Sequence, residues 1–277
     1  MTIKDILVHV DSSPRSKTRL EVATLVARQF EAHVVGLHVQ QLNAAPGYAA
    51  IELRDALIRL NREAAERAAG VAKTQFERQL AGIQLSTEWR TASGFVDDQV
   101  ALHARYADLC ILGQPNPEET PSLDEAALDR ILLETGRPIL VVPFAGRFDT
   151  IGTRVLVAWD GSRAATRAIN DAMPFLTRAE TVTVLAVNPR RGIHGHGDTP
   201  CADMALHLAR HGIKVQAAYD VSHEITVADV LLSRATDLAA DLIVMGAYGH
   251  PRALELVLGG VTRSVLEHMT APVLMSH

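Results

Sequence analysis

A chain that carries the same landmarks twice in the same order has to fold them twice, and this chain does so. Residues 4–11 read Lys-Asp-Ile-Leu-Val-His-Val-Asp, and residues 153–160 read Thr-Arg-Val-Leu-Val-Ala-Trp-Asp. Each is a short apolar run ending in Asp, and each leads into a helical pattern, Ser16 to Phe30 and Ala164 to Thr177. A second apolar run follows in both halves, Ala32–Val39 and Thr181–Val187. Further on, Tyr106-Ala-Asp-Leu-Cys-Ile-Leu-Gly113 matches Ala239-Ala-Asp-Leu-Ile-Val-Met-Gly246, and Gly136–Pro143 matches Thr270–His277. The join falls between Pro143 and Thr153, which divides the chain into 1–148 and 149–277. Each half is about 140 residues long, enough to bury a core of its own.

Within each half, apolar runs alternate with helical periodicity. Strands are expected near 5–10, 33–39, 84–90, 108–112 and 138–142, and again near 154–159, 181–187, 213–219, 241–245 and 272–276. Helices are expected near 15–30, 50–80, 95–105 and 122–135, then near 164–177, 200–211, 225–237 and 262–269. Continuous apolar strands are those covered on both faces, and regular alternation of this kind gives a parallel sheet with right-handed crossovers. Ligands in such folds bind at the carboxyl ends of the strands, near the point where the strand order switches. The halves differ most in the second crossover. In the first it holds a long amphipathic segment, Ile51–Leu80, which reads as a packing or partner surface.

The formal net charge of −5 speaks against a nucleic-acid binder, which needs a basic surface to neutralise phosphates. No apolar run approaches the ~18 residues of a membrane span. The start Met1-Thr2-Ile3-Lys4-Asp5 reads as the beginning of a strand and not as a signal peptide. Cys110 and Cys201 lie far apart, in no Cys-x-x-Cys pair, and read as reduced thiols of a cytoplasmic protein.

Chemistry concentrates after the fourth strand of the second half, in the segment from Met245 to Thr262. Gly246 and Gly249 stand where a strand must turn sharply. Glycine there permits positive φ and leaves no side chain between backbone and ligand. Gly259, Gly260, Val261 and Thr262 then open a helix. The first turn of a helix carries main-chain N–H groups without internal partners, and with the helix dipole they favour an anion. The expectation is a phosphate cradle built from main-chain amides, with the Thr262 hydroxyl at its mouth. It lacks the lysine of a Walker loop. The plainer alternative is a turn followed by a helix start with no ligand. In the first half the loop reads Gly113-Gln-Pro-Asn-Pro-Glu-Glu119. Pro115 and Pro117 have no N–H to donate, and Glu118, Glu119, Asp124 and Glu125 repel phosphate, so this half reads as degenerate.

Other clusters are weaker. His194, His196 and Asp198 have metal-ligand chemistry but sit in a glycine-rich loop. His207 and His211 have helical spacing without the glutamate of a metalloprotease. His250, Arg252 and Arg263 are as well explained by a surface as by a phosphate contact. No metal site and no catalytic set emerges: there is no Gly-x-Ser-x-Gly elbow, no Cys–His arrangement and no carboxylate pair beside the glycines.

The Gly-x2-Gly-x9-Gly pattern at Gly246, Gly249 and Gly259, after an Asp-ended first strand, resembles the universal stress protein family, and its tandem members over the whole chain. The resemblance implies two tandem Rossmann-like domains, each a five-stranded parallel sheet with helices on both faces: a degenerate one over 1–148 and a nucleotide-binding one over 149–277. It implies ATP or another adenine nucleotide, with Mg²⁺ beside a di- or triphosphate, bound as a regulatory or signalling ligand. Asp160 then meets the ribose and adenine, Val187 holds adenine through its backbone, and Gly246, Gly249, Gly259, Gly260, Val261 and Thr262 hold phosphate. A plain helix N-cap is the alternative for Asp160. Gly260 departs from the family, which has Ser or Thr there. The resemblance further implies an intramolecular pseudo-dimer, Ile139–Val142 against Val273–Met275, and dimerisation of such chains. Rival readings are a partner- or apolar-ligand-binding stress protein with a vestigial loop, and a slow ATP hydrolase. Valine at Gly246 or Gly259 is expected to abolish nucleotide binding with the fold kept.

Overall fold

The computed structural model describes residues 2–41, 51–116, 123–189, 199–222, 224–248 and 260–277, with only the backbone for 51–54. The chain groups into two compact units.

The first unit is Lys4–Thr135. It holds β1 (Asp5–His9), α1 (Ser16–Phe30), β2 (His33–Gln40), α2 (Ile51–Leu80), β3 (Thr87–Ser93), α3 (Val96–Ala104), β4 (Leu109–Gly113) and α4 (Glu125–Glu134). The strand order is β3-β2-β1-β4, with parallel pairing between neighbours: Val8 faces Gly36 on one side and Ile111 on the other. Such neighbours need helical crossovers, and α1 supplies one by burying Leu20, Val22, Ala23, Val26 and Ala27. It ends at Glu31, whose left-handed φ of 52° lets its N–H return to the Ala27 carbonyl. The middles of the central strands, Ile6, Leu7 and Val8 in β1 and Leu109, Cys110, Ile111 and Leu112 in β4, are apolar and buried because helices cover both faces.

The second unit is Gly136–His277, joined by the start of the chain. Its elements are β5 (Ile139–Val142), β6 (Arg154–Ala158), α5 (Arg163–Leu176), β7 (Thr181–Val187), α6 (Ala202–Arg210), β8 (Val215–Asp220), α7 (Val227–Asp237), β9 (Leu242–Gly246), α8 (Gly260–His268) and β10 (Val273–Ser276). Five strands run parallel in the order β10-β9-β6-β7-β8, as expected of this half. A sixth, β5, comes from the first half of the sequence and pairs antiparallel with β10, Val141 opposite Val273 and Ile139 opposite Met275. The strand contact expected of a pseudo-dimer is therefore present.

Element positions follow the sequence closely, with one shift. The strand expected near 84–90 starts at Thr87, three residues later, because the apolar pair Ile83 and Leu85 belongs to the turn after α2, where Gly82 has φ +72°. Strand β3 is polar, Thr-Glu-Trp-Arg-Thr-Ala-Ser, and pairs within its unit with β2 alone. An edge strand half open to water does not need an apolar run.

Candidate functional site

The site grows from the order of the strands in the second unit. From β6 the chain moves through β7 to β8 on one side and returns to β9 and β10 on the other. The switch in strand order lies between β6 and β9, and ligands of such sheets bind outside the carboxyl ends of the strands at that point. Asp160 follows β6, Val187 ends β7 and Gly246 ends β9, so the structure brings these expected residues to the ends of three neighbouring strands.

Asp160 is exposed, and its Oδ1 accepts one main-chain hydrogen bond, from Ser162 N at 2.9 Å. The N-cap of α5 is Ser162 instead, whose hydroxyl accepts from Ala165 N at 3.1 Å. The cap alternative for Asp160 is thus filled by a neighbour, and the carboxylate faces water. Val187 is half-buried. The next residue, Asn188, has φ 51° and ties the ends of β7 and β8 together: its N–H donates to Asp220 O at 2.8 Å and its Oδ1 accepts from Ser222 N at 2.9 Å.

Gly246 has a stricter role than a turn. A Cβ at this position would run into the backbone nitrogen of Ala165 and come within 2.6 Å of the Ala164 carbonyl carbon. The first turn of α5 lies directly against the end of β9, and only glycine admits it. A valine at 246 therefore displaces a helix, which corrects the expectation that such a variant keeps its fold. Past Gly246, Ala247 N donates to Ser276 O at 2.9 Å, and Tyr248, at φ 61°, meets the His277 ring edge-on at 5.7 Å. The His277 Nδ1 lies 3.1 Å from the Ala247 carbonyl. The start of the turn is thereby pinned to the end of β10.

Helix α8 starts at Gly260. A Cβ added there meets no atom of the described residues within 4 Å. Val261 is 36% exposed, whereas Thr262 is 4% exposed and packs on the inner face of α8 with Val265 and Leu266. Arg263 pairs with Glu267 at 2.8 Å. Gly249 and Gly259 lie outside the described residues, as do His250, Arg252, Glu118, Glu119 and the stretch with His194, His196 and Asp198. His207 and His211 meet in an edge contact at 4.9 Å on the exposed side of α6. Among the described residues no group of three or more His, Cys, Asp or Glu is placed to hold a metal ion. No described helix is long and apolar enough to cross a membrane. Both cysteines are free and buried, and burial pushes the Cys110 thiol up to about 12 and Cys201 to about 11.

The corresponding place in the first unit is built differently. Asp11 Oδ1 accepts from Ser13 N at 3.0 Å, Ser16 Oγ at 2.8 Å and Arg19 Nη2 at 2.7 Å. The Arg19 side chain is 8% exposed, and a Cβ on Gly113 would come 2.5 Å from its Nη1. At the far end of the loop, Asp124 caps α4 by accepting from Ala127 N at 2.8 Å. Arg19 escaped the sequence reading, although a signal was there: an arginine on the apolar stripe of α1, three residues beyond Ser16, has to find a buried partner.

Residues 153–277 match the model of the universal stress protein family. A universal stress protein of Synechocystis sp. is 25% identical over 98% of this chain and 99% of its own length. The fold is shared with a universal stress protein from Archaeoglobus fulgidus, at 18% identity over 98% of this chain and 97% of that one, with a TM-score of 0.72. A protein of unknown function from Pseudomonas aeruginosa superposes over 99% of this chain and 92% of its own at 16% identity, with a TM-score of 0.57. The family match thus covers the second half, residues 153–277, and over its whole length, with the fold repeated in both halves, the chain is similar to universal stress proteins.

Proposed function

We propose that this protein binds an adenine nucleotide in its second half and uses it as a regulatory ligand. The reading rests on the start of α8, which is open among the described residues. The helix opens on Gly260, beside which an added Cβ finds open space, and the residue before it is another glycine, with no side chain to cap the first turn. Unpaired N–H groups at a helix start attract a phosphate through hydrogen bonds and the helix dipole. Asp160, exposed and lightly engaged, suits a ribose hydroxyl, and the main chain at Val187 suits the edge of adenine. Gly246, Gly249, Gly259, Gly260 and Val261 then line the phosphate side. Thr262 is better placed to pack α8 than to reach a ligand, so main-chain amides carry the anion.

Gly260→Val tests this cleanly. The position has room and an ordinary φ, so the fold is kept, while an isopropyl group over the first turn obstructs the amides. Calorimetric titration with ATP, ADP and AMP is expected to show at least a tenfold weaker affinity, about 1.4 kcal/mol, with an unchanged circular dichroism spectrum. Equal affinity in the variant and the parent would remove α8 from the site.

A further inference from the structure

The two halves end their first strands in the same residue and then treat it in opposite ways. In the second unit the helix positions facing the strand ends are Ala165 and Ala168, both buried, and Asp160 stays exposed. In the first unit the matching positions are Ser16 and Arg19, also buried, and both are bonded to Asp11. Arg19 Nη2 also donates to Ser16 Oγ at 2.6 Å, and Ser16 Oγ accepts from Asp11 N at 2.9 Å. The guanidinium extends under the end of β4, filling the space a side chain on Gly113 would need. At Gly246 that space is filled by the backbone of α5. The shared glycine therefore serves two purposes: in the second unit it admits a helix, in the first an arginine.

We propose that Arg19, together with Ser16, closes the first cleft to a nucleoside, so that the chain takes up one nucleotide and not two. This rests on the assignment of Asp160 as the ribose contact. A ribose hydroxyl that approached Asp11 would have to replace a charge-assisted bond with a neutral one and strand a buried cation. The exclusion acts on the nucleoside end of the ligand and is independent of the lost phosphate loop. It is a property of two side chains and is reversible by changing them. Ser16→Ala with Arg19→Ala gives the first unit the same residues as the second at these positions.

Adenosine is the discriminating probe, because it lacks the phosphate that the first loop rejects. The full chain is titrated with adenosine and with ADP by calorimetry, and amide hydrogen exchange is followed in both halves. The parent is expected to bind one equivalent of either compound, with protection at 160–166 by both, at 260–266 by ADP alone, and none at 11–19 by either. The S16A/R19A double variant, folded by circular dichroism, is expected to gain one equivalent of adenosine over the parent and none of ADP's extra affinity at the new site. Two equivalents in the parent, protection at 11–19, or a folded double variant with no gain would each overturn the proposal. The exchange measurement needs no variant, so protection at 11–19 in the parent overturns the proposal even if the double variant does not fold. A chain whose second half takes no nucleotide would instead show no protection at 260–266, which refutes the proposed function, while the gain of adenosine in the double variant still reports on Arg19.

Discussion

His9 is 1% exposed at the end of β1, and burial lowers its pKa from 6.5 to about 4. Asp11 works against that shift, and Arg19 and His38 reinforce it. The unfolded chain takes up a proton near pH 6.5, whereas the folded chain resists until about pH 4. Stability from the neutral imidazole is thus complete above pH 6.5 and is lost as pH falls through that window, roughly 3 kcal/mol in all. Urea denaturation of the parent at pH 7 and pH 5 should differ by about 2 kcal/mol more than it does in His9→Leu. An equal pH dependence in the two would show that His9 is not held neutral. The Asp11–Arg19 pair carries a larger cost of the same kind. Replacing Arg19 alone with methionine strands the carboxylate, with an expected loss of 3–5 kcal/mol, roughly the range for a broken buried pair, and Asp11→Asn with Arg19→Met should recover much of it. At this scale the sequence was partly legible. The strand-ending aspartates stand out because both halves carry one. Their different fates were hidden, because a letter that reads as a surface arginine shows its burial only when the stripe of α1 is laid against β4.

Strands and helices were legible to within a few residues because their period and their breakers agree. Parallel strands covered on both faces have apolar middles, and β1, β4, β6 and β9 have them. The one strand displaced by three residues, β3, is also the one whose polar sequence gives no such signal. The glycine loop was legible as a pattern, but the pattern could not separate packing from binding. Gly246 and Gly260 look alike in sequence, yet the first is hemmed in by the backbone of α5 and the second meets none of the described residues. Their alanine variants should therefore diverge. Gly246→Ala forces α5 away from β9 and is expected to lower stability by about 1–3 kcal/mol, the usual cost of an overpacked site. Gly260→Ala should leave stability equal or slightly higher, since alanine is the better helix former. Thermal unfolding of the two side by side checks this. Matching losses would mean that the end of α8 is as tightly packed as the end of β9.

The division of the whole chain does not fall where the repeat does. By sequence the join lies near residue 148, yet β5, at Ile139–Val142, is part of the compact unit built by the second half. Its four residues are at most 1% exposed and lie along β10, whose Val273, Leu274 and Met275 are fully buried. A fragment starting at residue 149 would lose that strand and expose the main-chain edge of β10, with its apolar side chains, to water. Unpaired edges of this kind seek another strand. A fragment of 136–277 keeps the pairing. We expect 136–277 to unfold at a higher temperature than 149–277, and 149–277 to self-associate through β10. A charged residue at Leu274 should abolish that association. If the shorter fragment is monomeric and equally stable, β5 contributes nothing to the unit it pairs with, and the repeat boundary is also the folding boundary.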